Sequence, residues 1–390
     1  MNNTVQRSER LPLIDALRAF ALFGILQVNI QSFVWGGAQP LGILQPDAHW
    51  ADSAAYLLVA TLVSTKFMAL FAFLFGVGFV LQMRALGSGK QYRKRLWFLL
   101  VMGLAHGCLL YFGDVLAIYA LCGFILVLYA DVRTAKLVRA LKRWWLTFTT
   151  VAVFFMGGAA FMSPPSDGGS TASEVEAEIF AHHTVYTTAG FVDQIATRSQ
   201  EYLTGLFAGA IFTGPMVVSL FLLGALAARQ GWLRHPERHP RVWRMAHRVG
   251  AVGLALATAG AISTFVSQQK SPGSYDFFGM LLTTASLTTM ALYVAWVVRY
   301  RNTVVVRPII LWLAPAGRMP LSNYLLQSVL MGTLLSGWGF GWGATLGRAE
   351  LALLGIAIVG LQIVLSRQWI ARFGVGPLET LWRRATYSRQ

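Results

Sequence analysis

Nearly all the Lys and Arg of this chain fall in every second gap between its apolar stretches. Arg84, Lys90, Arg93, Lys94 and Arg95 share one gap. Arg133, Lys136, Arg139, Lys142 and Arg143 share another, and Arg229, Arg234, Arg238, Arg241, Arg244 and Arg248 a third. The intervening gaps hold only Arg198, Lys270 and Arg348. This alternation is the positive-inside signature of a chain that crosses a bilayer repeatedly. It fixes which loops share a side before any side chain is given a role.

Composition agrees. The chain is 56% hydrophobic and 12% charged over 390 residues, whereas a soluble domain carries roughly 25% charge. A formal net charge of +16 could point to nucleic acid, but these basic residues flank apolar spans, where they meet anionic headgroups. Nucleic acid is therefore not an expected partner. Cys108 and Cys122 both lie inside apolar stretches, without metal-ligand spacing or a disulfide framework. They read as small packing residues. The polar start, MNNTVQRSER, precedes an apolar run too long for a signal h-region, with no A-x-A-like site after it. It reads as a retained first helix.

A helix needs about 20 apolar residues to cross the hydrocarbon. That length predicts spans near Leu13–Phe33, Ala54–Leu81, Leu96–Phe112, Val115–Ala130, Trp144–Met162, Thr204–Ala228, Val249–Val266, Phe277–Val298, Pro320–Leu335 and Leu351–Ser366. The expected fold is an all-α, polytopic membrane protein of about ten helices, one domain over 1–390. An even number puts both termini on one side, and the basic loops make that side cytoplasmic. Residues 163–203 are expected as a periplasmic loop with short helices, and 367–390 as a cytoplasmic basic tail. The third and fourth spans should form a hairpin about Gly113 and Asp114. PIILWLAPAGRMP, Pro308–Pro320, is apolar but too short to span, and reads as a re-entrant or interfacial helix. Trp35, Trp50, Trp97, Trp144, Trp145, Trp338 and Trp342 lie at span ends, as an interfacial belt would. There is no internal repeat.

Ionisable groups inside spans are costly and therefore informative. In the first span Asp15 and Arg18 are three apart, on one helical face. Arg18 and Asn29 are eleven apart, so they share a stripe, about 16 Å apart along the axis. The plain alternative is an ion pair anchoring the helix end and an amide joining two helices. Lys66 lies too deep to snorkel easily and needs a partner, Asp114 or a backbone carbonyl. Gly76 and Gly78, among large aromatics, permit close approach of another helix or a ligand. His106 is placed as a general base near neutral pH, one short hairpin from Asp114. His49, beside Asp47 and Asp52 in an outer loop, is an alternative base or simply a solvated residue. The adjacent His182 and His183 do not share a helix face, and no metal site is expected. Arg318 precedes Asn323 and Gln327, which are four apart and make a second polar stripe. No GxSxG, Walker, HExxH or Rossmann pattern occurs in a plausible context.

LIDALRAFALFGILQVNI, KFMALFAFLFGVGF, RKRLWFLLVMGLAHGCLLYFGDVLAIYAL, GRMPLSNYLLQS and GPLETLWRRATY resemble, in order and over nearly the whole chain, the YeiB-like family of bacterial inner-membrane proteins. The first span is distantly similar to the opening helix of the membrane acyltransferase superfamily, which includes bacterial O-acyltransferases and heparan-glucosaminide acetyltransferase. In the bacterial enzymes an arginine is followed eleven positions later by a histidine. Here those positions hold Arg18 and Asn29, an asparagine that the lysosomal enzyme resembles. That enzyme uses a loop histidine, for which His49 is the loose match.

The resemblance implies an acyltransferase-like helical bundle that takes acyl-CoA, with acetyl the first expectation. Arg18 and the basic loops would attract the CoA phosphates. His106 or His49 would deprotonate a glycan, lipid or small-molecule acceptor, or carry the acyl group. Asp114 would orient the base, and Asn29 would donate to the developing oxyanion. Asp15, Arg18, Lys66, Arg318, Asn323 and Gln327 are the expected binding residues. The competing reading is a transporter or exporter with Arg18, Lys66, His106 and Asp114 as a relay. Expected partners are the lipid bilayer and the acyl acceptor; a homo-oligomer is left open.

Overall fold

The structure is a computed structural model that describes residues 11–36, 48–86, 89–162, 170–270 and 277–386. Every regular element among them is helical. In chain order these are α1 (Pro12–Trp35), α2 (Trp50–Leu58), α3 (Lys66–Leu86), α4 (Gly89–Leu109), α5 (Leu116–Val127), α6 (Thr134–Met162), α7 (Ser170–Thr188), α8 (Phe191–Gln230), α9 (Pro240–Lys270), α10 (Phe277–Ala285), α11 (Thr289–Tyr300), α12 (Val306–Gly317), α13 (Pro320–Leu335), α14 (Arg348–Phe373) and α15 (Pro377–Thr386).

Five segments are long and apolar enough to cross a membrane unaided: Pro12–Trp35, Trp50–Ala85, Phe191–Gln230, Pro240–Ser267 and Arg348–Phe373. Large apolar side chains stand outward along several helices, among them Phe154, Phe207, Val252, Leu353 and Ile356. Water would not tolerate so extensive an apolar surface, whereas lipid tails accept it. Trp50, Trp97, Trp145 and Trp342 are also exposed, as an interfacial belt requires.

Without water between helices, association depends on close packing and polar contacts. Gly76 of α3 lies against the carbonyl of Phe221, and Gly224 of α8 against that of Phe73, so these helices touch backbone to backbone at two points. Gly317 at the end of α12 meets the carbonyl of Asp15 in the same way. A Cβ at any of the three would collide with backbone, which cannot yield as a side chain can.

Several expectations change shape. The predicted span Ala54–Leu81 is broken: a π-helical turn over Val59–Val63 separates α2 from α3, and Thr65 takes φ +67°, a strained value for a β-branched residue. The stretch 163–203, expected as an outer loop with short helices, holds α7 and the first turns of α8, a single 40-residue helix; its part 163–169 lies outside the described residues. The expected basic tail is the end of α14 plus α15, which folds back on α4 and α13. The apolar piece Pro308–Pro320 forms α12 and the turn into α13. The α4–α5 hairpin is present.

Candidate functional site

His106 sits near the end of α4, and Asp114 in the turn that returns the chain into α5. The backbone N–H groups of Leu110 and Tyr111 both donate to the His106 carbonyl, so the turn is tight. Asp114 stands just ahead of an apolar helix, where a short carboxylate satisfies free amides. Its Oδ2 accepts from the Ala117 amide at 3.0 Å. Its Oδ1 lies 2.8 Å from His106 Nδ1. The Tyr202 hydroxyl donates to the Gly103 carbonyl at 3.1 Å and lies 3.5 Å from Asp114 Oδ2.

The other ring nitrogen, His106 Nε2, lies 2.8 Å from Ser328 Oγ on α13. A carboxylate on Nδ1 fixes the proton there and leaves Nε2 as an acceptor, so the serine hydroxyl donates. Ser328, His106 and Asp114 thus form one directed chain from hydroxyl to imidazole to carboxylate. Sequence reasoning missed Ser328. Its only signal was its place in the polar start of α13, five residues after Asn323 and next to Gln327. The chain is sealed: the His106 and Asp114 side chains are 1% and 0% exposed, and Ser328 is buried.

Aromatics line this centre. The Tyr324 ring, one turn before Ser328, lies 5.0 Å from the imidazole. The Tyr111 ring lies 6.3 Å from it and stacks on Phe33 of α1 at 4.7 Å. The Tyr111 hydroxyl is hydrogen-bonded to Ser32. Asn29 precedes Ser32 and Phe33 by three and four residues, so it shares their face of α1. Leu22 and Leu26, on the same stripe, belong to the apolar clusters that hold Tyr324 and Tyr111 respectively. The outer part of that stripe, Leu22 to Phe33, therefore shares apolar clusters with the aromatics around His106, and Asn29 is buried along it.

The remaining candidates lie in separate places. Arg18 pairs with Asp15 at 3.0 Å, and its guanidinium lies over Gly78 at 2.9 Å from where a Cβ would sit. The expected ion pair at the helix end is present. Lys66 is fully buried and donates to the Ala60 carbonyl at 2.8 Å. A backbone carbonyl, not Asp114, is its partner, and it closes the broken turn. The Tyr293 hydroxyl does the same for the Leu62 carbonyl at 2.7 Å. His49 is exposed and accepts from the Ala51 amide as the cap of α2; no contact joins it to His106.

Asn323 and Gln327 meet α14. Asn323 Nδ2 donates to Ser366 Oγ at 3.0 Å, Gln327 Nε2 to Gln362 Oε1 at 2.9 Å, and Gln362 Nε2 to the Asn323 carbonyl at 3.0 Å. Two pairs spaced four apart interlock as a polar seam between helices. Arg318 donates to the Gly374 carbonyl at 2.6 Å. Glu379 of α15 accepts from the amides of Leu321 and Ser322 at 2.8 and 3.2 Å, a carboxylate at the positive end of α13.

Toward the expected outer side, Arg198 is buried and donates to the Leu109 carbonyl and to Gln194 Oε1. His182 pairs with Glu201. His183 packs on Trp35 at 4.4 Å; burial lowers its pKa below the ordinary value, against a smaller opposing hydrogen bond with the Gly343 backbone. No group of three metal-ligating side chains occurs among the described residues. A surface cavity of about 430 Å³ lies on α6, lined by Tyr129, Lys136, Arg139, Arg143 and Trp144 among others.

Apolar helices with lipid-suited faces, closed around a buried polar centre, define a polytopic α-helical membrane protein. Residues 227–389 match the family model described as "Protein of unknown function (DUF418)". The chain is 30% identical to "Uncharacterized protein YxaH" of Bacillus subtilis (strain 168), covering 97% of this chain and 95% of that protein. It is 29% identical to "Uncharacterized protein YeiB" of Escherichia coli (strain K12), covering 97% and 96%. The chain belongs to this YeiB-like family.

Proposed function

We propose that the protein is a multi-pass enzyme of the bacterial inner membrane that moves an acyl group, acetyl first, from cytoplasmic acyl-CoA to a hydroxyl or amine acceptor at the periplasmic side. The observation that carries this reading is His106, held by Asp114 on one nitrogen and facing a hydroxyl with the other. An imidazole so oriented can take a proton from a nucleophile and return it to a leaving group. Tyr324, whose ring lies 5.0 Å from the imidazole, is a phenol donor suited to a developing oxyanion, and Asn29, buried on α1, would supply an amide donor there. The cations Lys136, Arg139 and Arg143 around the α6 cavity suit the phosphates of CoA. Because the centre is sealed, the helices around it must part to admit substrate, as gated enzymes do.

The reading includes about ten crossings with both termini cytoplasmic, the further spans being supplied by α4, α5, α6, α10 with α11, and α13. Ser170→Cys should react with a membrane-impermeant thiol reagent in intact cells, and Arg238→Cys should not. The reverse pattern would overturn the orientation. For the chemistry, purified protein is given acetyl-CoA and a panel of alcohol and amine acceptors. Release of CoA with product formation is expected, and is lost in His106→Gln.

One observation favours the transporter alternative. Discontinuous membrane helices often line transport sites, and the break at Val59–Val63 carries the buried Lys66. Uptake into proteoliposomes with no consumption of acyl-CoA would move the assignment there.

A further inference from the structure

We infer that Ser328 is the nucleophile that carries the acyl group between donor and acceptor. The inference rests on the acyl-transfer reading above and goes beyond it, since that reading requires only His106 as a base. A hydroxyl inside a membrane helix ordinarily returns its hydrogen to the carbonyl four residues back. Ser219 does so in α8, donating to the Pro215 carbonyl at 2.8 Å. Ser328 instead faces His106 Nε2 at 2.8 Å, and Asp114 holds the opposite nitrogen at the same distance. A nucleophile within reach of a base that a third group orients is the arrangement that activates a serine. The members come from α4, the following turn and α13, so the constellation is set by tertiary packing rather than by a local motif.

The step balances as follows. Ser328 Oγ attacks the thioester carbonyl while its proton passes to His106 Nε2. The C–S bond breaks, CoA leaves, and the imidazolium returns the proton to the thiolate. An acyl ester on Ser328 remains. The acceptor hydroxyl or amine then attacks that ester, His106 takes its proton, and the proton goes back to Ser328 Oγ as the ester bond breaks. No oxidant, reductant or metal is consumed. Asp114 holds the imidazole in one tautomer throughout and stabilises its protonated form.

The test uses the full-length protein in detergent with radiolabelled acetyl-CoA and no acceptor, followed by peptide mapping. One acetyl group should appear on the peptide containing Ser328, with an equal amount of free CoA. Folded Ser328→Ala should take no label and lose transfer by at least about 10³-fold. If Ser328→Ala transfers at the wild-type rate while His106→Gln does not, the covalent step is overturned and the acyl-transfer reading stands. A fluorophosphonate probe gives a second arm that needs no knowledge of the donor. Labelling of wild-type Ser328 that disappears in His106→Gln upholds the activated serine, even if every acyl-CoA fails and the transfer reading falls. No adduct at Ser328 with either reagent overturns the inference, whether or not Ser328→Ala folds.

Discussion

Glu379 clasps Ser322: the carboxylate accepts from both the amide and the hydroxyl of that residue, 57 positions earlier in the chain. The first turn of the helix carrying Ser328 is thereby fastened by α15. Glu379→Ala leaves buried donors on Leu321 and Ser322 without an acceptor, which should cost roughly 1–3 kcal/mol. A thermal-denaturation series in detergent checks this. Restoration of the wild-type midpoint by Glu379→Asp would require the shorter acid to reach the same amides. No change on Glu379→Ala would show that the clasp contributes nothing.

Asp114→Asn keeps the shape of the turn but offers His106 Nδ1 a neutral amide. The imidazole is then free to place its proton on Nε2, where it can no longer accept from Ser328. Transfer should fall by about 10³–10⁴-fold, with an unaltered elution profile on size exclusion. Activity close to wild type in a folded Asp114→Asn variant contradicts a role for this carboxylate in orienting the base.

Lys66→Met separates the two functional readings. The ammonium is buried with the Ala60 carbonyl as its hydrogen-bond acceptor. An apolar side chain of similar length avoids the cost of desolvating a charge, so stability should change by no more than about 1 kcal/mol, or rise. Transfer should stay within about tenfold of wild type, since no contact joins Lys66 to the His106 centre. This is measured as turnover and midpoint on the same preparation. Full loss of function with an intact fold would place Lys66 in the working machinery and favour transport.

His183 should make the protein acid-sensitive. Its pKa is lowered in the folded state from the ordinary 6.5. Below that value the unfolded chain binds the proton more readily than the folded one, so stability falls as pH drops below about 6.5 and is unaffected above it. Midpoints recorded from pH 7.5 down to pH 5 should decline more steeply for wild type than for His183→Gln. Parallel curves would remove His183 as a source of acid lability.

The legibility of these features in the sequence was uneven, for physical reasons. His106 and Asp114 are eight apart across a turn too short to separate them, so their pairing follows from the chain alone. The Arg18–Asn29 stripe follows from helical periodicity in the same way. Ser328 does not: 222 positions separate it from His106, and hydroxyls are common enough in membrane helices that one more is uninformative. Asn323 and Gln327 were readable as a face, but not what that face meets. Their partners Gln362 and Ser366 share the same spacing of four, and only packing brings the two faces together. The break before Lys66 was invisible because the hydropathy of 54–81 runs on without interruption, while the backbone takes a π-helical turn.

The hydroxyl and its base are divided between the two ends of one gene. The segment that matches the family model, residues 227–389, contains Ser328 and the clasp from Glu379, while His106 and Asp114 are encoded well upstream. A truncated product restricted to that segment would carry the serine without the imidazole that activates it. In genetic terms, null alleles at His106 and at Ser328 should not rescue one another within a single chain, yet two co-expressed halves could complement if they reassemble in the membrane.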